Sequence, residues 1–206
     1  ENLLEHSVMP EFVDMLRTED DRRSRETLRD FIQNRFFRRD IYVKPVTGTG
    51  EAELLLASEG VNFPIAWSPD GRYISFASDR DDGIFSAYLK DVDGTGGVEL
   101  LLGGEERQFP VGWTPDGKMV IVSRISRETR MDSLVVPLEG DREPMPLLAT
   151  EFDDRSASVS PDGRWVAYRS DESGRYEVYV TSFPTPARKW QVSVDGGEVP
   201  RWTRNG

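Results

Sequence analysis

The chain contains no cysteine in its 206 residues and only one histidine, His6. The first absence excludes a disulfide framework, a thiolate nucleophile and a zinc ribbon, and it leaves the redox compartment unmarked. The second, together with the lack of any Gly-x-Ser-x-Gly elbow, leaves no serine-hydrolase triad to assemble. His6 has no motif partner and reads as an exposed side chain near a terminus. Long apolar runs are missing too. Glu53-Leu54-Leu55-Leu56-Ala57 is typical of the longest, far below the roughly 20 residues that span a bilayer, so no membrane insertion is expected. Basic residues are outnumbered 26 to 37, for a net charge of −11. That balance repels phosphate backbones and argues against nucleic acid as a partner. A basic protein or peptide fits better.

What the chain does have is a repeat. Pro64-Ile65-Ala66-Trp67-Ser68-Pro69-Asp70-Gly71-Arg72-Tyr73 returns as Trp113-Thr114-Pro115-Asp116-Gly117-Lys118 and again as Val159-Ser160-Pro161-Asp162-Gly163-Arg164-Trp165. A last echo is Trp202-Thr203-Arg204-Asn205-Gly206. An interval of about 45 residues is the mark of a repeat architecture, here four short strands per unit, the blade of a β-propeller.

Other columns keep the same step. Tyr42, Tyr88, Leu134 and Tyr179 each sit inside an alternating apolar run and mark one strand. Leu54 to Leu56, Leu100 to Leu102, Leu147 with Leu148, and Val192 mark the next. Phe63-Pro64, Phe109-Pro110 and Val199-Pro200 precede the tryptophan column. Ser-Pro-Asp-Gly and its variants read as tight turns, with Pro fixing φ and Gly accepting φ > 0. Thr47-Gly48-Thr49-Gly50 and Asp91 to Gly97 read as turns between the next two strands.

The fold class expected is all-β, a partial propeller over residues 40–206. Its complete four-stranded blades cover about 63–102, 109–149 and 155–194, with incomplete flanking strands. With strands A to D counted from the inside of a blade, the order is C, D, three full sets, then a lone A. Residues 199–203 would pair with 40–56 if the termini closed a fourth blade; otherwise open edges remain, and a homodimer through them is a candidate assembly. The chain starts at Glu1 without methionine or signal-like segment and stops inside a turn, which reads as an excerpt of a longer protein.

Residues 1–38 differ in texture, with no glycine and many arginines from Arg17 to Arg39. They read as a helical N-terminal segment, with helices around 10–17 and 22–36. A rival alignment matches Leu28 to Arg35 with Tyr73 to Arg80 and makes that stretch a worn strand B.

The Trp-Ser-Pro-Asp-Gly-Arg-Tyr-Ile-Ser-Phe pattern, with Tyr88-Leu89-Lys90-Asp91-Val92-Asp93-Gly94 or Asp40-Ile41-Tyr42-Val43-Lys44-Pro45 downstream, resembles the WD-like propeller repeats of the TolB type. Ser170 to Val180, Phe183-Pro184, Lys189 to Ser193 and Gly196 to Trp202 look most like the propeller C-terminal to bacterial serine/threonine kinase domains. The resemblance implies a sensor or docking module of a bacterial signalling protein, in a periplasmic or extracytoplasmic setting. Similar repeats also precede prolyl-oligopeptidase-like hydrolase domains and form TolB-like envelope scaffolds, so a gating propeller and a scaffold are the alternatives.

No chemistry-bearing motif stands out. A Gly-rich loop with a Val-Ala-Ile-Lys strand, His-Arg-Asp and Asp-Phe-Gly are all missing, so no kinase part is present. Gly94-Thr95-Gly96-Gly97 is not followed by a helix pattern that would hold phosphate. Asp91-Val92-Asp93-Gly94 opens like a calcium loop but has Leu102 where the bidentate Glu belongs. Ser193-Val194-Asp195-Gly196-Gly197 is similar to a sialidase Asp-box, yet Pro200 stands in the aromatic position. No pair of acids is singled out for glycoside hydrolysis. The expectation is no enzyme, no cofactor and no metal.

The candidate site is therefore positional. In a propeller the B–C and D–A loops emerge on one face, beside the channel mouth. Asp81, Asp82, Glu105, Glu106, Arg107, Asp153, Asp154, Arg155, Asp171, Glu172 and Glu198 are placed there. Asp79, Glu151, Arg80, Arg124, Arg127, Arg130 and Arg175 lie among them. The functional reading is a largely acidic docking face for basic protein segments; the plain alternative is a solvated rim.

Overall fold

Four sheets of antiparallel strands follow one another along the chain. The computed structural model describes residues 40–44, 51–57, 59–126 and 130–203, all within one compact unit, 39–206. The helices expected at 10–17 and 22–36, the rival strand at 28–35, the Thr47-Gly48-Thr49-Gly50 turn and Arg127 lie outside the described residues. Among the described residues there is no helix.

The first sheet is a two-stranded ribbon, β1 (Ile41–Val43) with β2 (Glu53–Leu56). Three four-stranded blades follow. Blade one is β3 (Asn62–Trp67), β4 (Tyr73–Ser78), β5 (Ser86–Asp91) and β6 (Val98–Leu102). Blade two is β7 (Gln108–Trp113), β8 (Met119–Ser126), β9 (Arg130–Pro137) and β10 (Met145–Leu148). Blade three is β11 (Arg155–Val159), β12 (Trp165–Ser170), β13 (Glu177–Ser182) and β14 (Lys189–Gln191). Within each blade the strands pair in sequence order. The first strands, β3, β7 and β11, lie side by side. This is the arrangement of successive blades in a partial propeller.

The turn chemistry explains why the first two strands of every blade form a hairpin. Gly71, Gly117 and Gly163 have φ of 74°, 71° and 70°, a region that residues with a Cβ rarely enter. Each donates its amide to the carbonyl of Ser68, Thr114 or Ser160. The hydroxyl of that same residue donates to the Oδ1 of Asp70, Asp116 or Asp162 at 2.6 Å in all three. The turn aspartates are therefore structural braces.

The cores lie between sheets. Ile41 packs with Phe76 and Tyr88; Ala87, Leu89 and Leu101 meet Val120, Val122 and Val136; Ile121, Val135 and Leu147 meet Val166, Tyr168 and Tyr179. Burying each of these larger side chains contributes roughly 1.5–3 kcal/mol. The tyrosine column now has a direction, because Tyr88 and Tyr179 are buried against the preceding sheet, and Leu134 is buried as well. Tyr42 points the same way from the first sheet and is 56% exposed.

Two boundaries differ from expectation. Blade three loses strand pairing after Gln191, so Val192 lies beyond the last strand, although its amide still donates to the carbonyl of Val178 at 2.7 Å. Residues 199–203 form no strand, because an extended segment becomes one only through a paired neighbour. Trp202 nevertheless donates its indole N–H to the carbonyl of Ser158 at 2.8 Å, which ties the segment to blade three.

Candidate functional site

The strand directions put residues 79–85, 103–107, 149–154 and 171–176 at one end of the blades. Their most conspicuous feature is aromatic. Phe63 is the second residue of β3, Phe109 occupies the same place in β7, and Phe85 reaches between them from the loop of blade one. Ring centroids are 5.5 Å apart at both steps. All three are half-buried, and the Phe85 carbonyl accepts the amide of Gln108 at 2.7 Å, latching the loop to the next blade.

The acids predicted around this face divide into two sets. Asp81, Asp82, Glu105 and Arg107 are exposed. Asp81 accepts the Tyr88 hydroxyl at 2.8 Å, and burial, then that hydrogen bond, pushes the Tyr88 phenol well above its ordinary value. Asp82 accepts the amide of Ile84. Glu106 is half-buried and paired with Arg124, which also holds the buried Asp132 at 2.8 Å. Arg80 turns inward, 5.3 Å from both the Phe76 and Tyr88 ring centroids, and donates to Asn62.

The second set lies in blade three and departs from the expected rim. Asp153 and Asp154 are interior residues. Asp153 accepts Arg155 Nε and the Tyr176 hydroxyl, both at 2.6 Å, while its amide donates to Asp171. Burial works to raise its carboxyl, but the hydrogen bonds from Arg155 and Tyr176 and the charges of Arg155 and Arg130 outweigh it, and the net shift is downward. Asp154 goes the other way. Burial, aided by the Glu172 charge, raises its carboxyl, against opposing hydroxyls of Ser170 and Thr150 and the Lys189 charge. Asp171 is paired with Arg130 across the blade junction and Glu172 with Lys189. Glu198 is exposed and lies 3.7 Å from Arg169. Asp153, Asp171 and Glu172 are thus already paired with cations of the same unit, because a carboxylate taken out of water must find a partner or lose its charge.

Sequence reading missed the polar layer that underlies the face. Asn62 and Gln108 begin strand A of blades one and two, Asp154 immediately precedes that of blade three, and all are buried; Ser78 pairs with Asn62, the Ser170 hydroxyl meets Asp154, and Ser86, Asp132 and Glu177 follow on the third strands. Their recurrence at the repeat step was the available signal. The phenylalanine ladder was half visible, through Phe63 and Phe109.

Neither calcium-like nor Asp-box-like stretch provides a ligand cradle. Asp93 Oδ1 is occupied by the amide and hydroxyl of Thr95. Glu177 accepts Arg175 Nε, the Ser193 hydroxyl and the Gly196 amide, which pins 193–197 to the third strand. Among the described residues no group of three or more His, Asp or Glu is arranged to hold a metal ion.

Residues 31–205 match the model of the TolB beta propeller domain. The chain belongs to that family. No curated protein matches it. Among solved structures, this TolB-type propeller is similar to a TolB-like protein from Agrobacterium tumefaciens, with a TM-score of 0.68 and 23% identity over 84% of this chain and 65% of the other. TolB from Acinetobacter baumannii gives 0.58 and 24%, over 73% and 37%. A structure from a study of two prolyl endopeptidases gives 0.59 and 16%, over 80% and 25%. The chain thus spans less than two thirds of each of these proteins, and the likeness is one of fold.

Proposed function

We propose that this TolB-type propeller is a non-catalytic binding module that captures basic protein or peptide segments on the face formed by residues 79–85 and 103–107. The observation that carries this reading is the Phe63, Phe85 and Phe109 ladder, half-buried and bordered by the exposed carboxylates of Asp81, Asp82 and Glu105. Aromatic rings supply apolar area at low entropic cost and also attract cations; the surrounding carboxylates steer a positively charged segment toward them. General acid or base work is not favoured, because Asp154, the carboxyl raised on this end among the described residues, is sealed from solvent.

The setting we favour is a larger bacterial signalling protein, on the strength of the likeness of residues 170–202 to propellers that follow serine/threonine kinase domains. A gating propeller beside a prolyl-oligopeptidase-like hydrolase is the second reading, favoured by the structural likeness to prolyl endopeptidases. A homodimer through the open sheet faces at Tyr42 and Trp190, 56% and 39% exposed, accompanies either reading; sedimentation giving only monomer at high concentration would remove it.

The test is fluorescence anisotropy with a labelled ten-residue peptide of alternating lysine and alanine and its glutamate counterpart. Only the lysine peptide should bind, more weakly as salt rises. Asp82→Lys with Glu105→Lys should abolish binding, and equal binding by wild type and this variant would end the proposal.

A further inference from the structure

On the opposite end of the blades, a groove of about 430 Å³ runs between the turns of blades two and three. Its walls are Pro115 and Pro161, Met119 and Phe183 complete the apolar lining, and Asp116 and Asp162 stand on its sides. The volume falls in the range of pockets that enclose a side chain or small ligand, roughly 300–1,000 Å³.

The preceding junction is closer at this level. A Cβ on Gly117 would lie 3.8 Å from Pro69 Cδ, so the turns of blades one and two approach to van der Waals distance; Gly163, one repeat later, has nothing within 4 Å. Phe183 also distinguishes the third blade. Its amide donates to Arg164 O just as Leu138 donates to Lys118 O in blade two, so the two positions correspond, and an aromatic ring stands where blade two has leucine.

The two aspartates are not equivalent. Each uses Oδ1 to brace its turn, and Asp162 Oδ2 accepts from Arg164 Nε at 2.6 Å. Asp116 Oδ2 makes no hydrogen bond among the described residues. Both carboxyls are held below the ordinary aspartate value, first by the Thr114 and Ser160 hydroxyls, so both remain anionic.

We propose that this groove is a docking slot for an arginine side chain of a protein partner. A guanidinium is flat and weakly hydrated, so it lies against proline and phenylalanine faces with little desolvation cost, whereas a lysine ammonium is compact and strongly hydrated. Its fork of donors matches the unused edge of Asp116. This slot is separate from the loop-face reading and survives its failure.

The test uses the full chain with ¹³C-labelled methionine methyl groups and Nα-acetyl-arginine amide as probe. The Met119 methyl resonance should shift saturably, and the neutral isostere Nα-acetyl-citrulline amide should bind about fivefold more weakly, the size of one exposed charge pair. Asp116→Asn keeps the turn-bracing oxygen and should lose a similar factor. Phe183→Leu, which installs the residue of blade two, provides a second variant with the same expectation. No shift of Met119, equal binding of the citrulline probe, or full affinity in a folded variant would overturn the slot. Tighter binding of free arginine than of the blocked amide would overturn its assignment to a protein partner.

Discussion

Trp113 donates its indole N–H to the hydroxyl of Ser75, 3.1 Å away in the preceding blade, and the Ser75 hydroxyl in turn donates to the carbonyl of Ala66. The tryptophan of the second turn motif is thereby bonded to the second strand of the blade before it, so at this junction the repeat position is also an interblade clasp. Trp113→Phe keeps the ring and removes the donor. A loss of about 1 kcal/mol, the net value of one hydrogen bond, should appear as a lower urea midpoint at unchanged slope.

The turn aspartates make an acid-dependent contribution. Hydrogen bonds from Ser160, then from Arg164, lower the Asp162 carboxyl from 3.8 to about 2, and Asp70 and Asp116 shift in the same direction. For a carboxyl lowered on folding, the stabilisation is present above the unfolded value and lost as pH falls through the folded one. Thermal midpoints should therefore drop between about pH 4 and pH 2, and Asp162→Asn should flatten part of that slope.

Asp154 has the opposite sign. Its carboxyl is raised on folding, so the ionised form strains the native state, and stability falls as pH rises from 3.8 through the folded value. Blade one carries Asn62 at the same position. Asp154→Asn should raise the thermal midpoint at neutral pH, with the difference from wild type narrowing as pH approaches 3.8. A variant less stable at neutral pH would show that the Thr150 and Lys189 interactions outweigh burial.

These residues also show how much of the fold and of the site the sequence carried. The Ser/Thr-Pro-Asp-Gly turns were legible because backbone geometry dictates their types, and with Trp67 and Trp113 ahead of them they marked the repeat. Which acids face solvent was not legible. Asp81 and Asp153 look alike in a sequence, but the first lies on an exposed loop and the second precedes a first strand, where Arg155 and Tyr176 enclose it. The missing strand at 199–203 has a similar origin, since pairing partners, not local pattern, decide strand formation.

Glu177 predicts a local effect. It holds the Ser193 hydroxyl and the Gly196 amide while Gly197 packs where a Cβ would lie 2.7 Å from Val178 Cγ2. Glu177→Ala should speed amide hydrogen exchange at Gly196 and Gly197, leaving the amides of β4 and β8 unchanged. Equal acceleration in blades one and two would mean that the carboxylate supports the whole unit.

Chemical-shift mapping of the labelled chain with the lysine–alanine peptide tests the central claim most directly. The largest amide perturbations should fall at residues 79–85 and 103–107, with Phe85 among them. Perturbations concentrated instead around Tyr42 or Trp190, or none at saturating peptide, would contradict it.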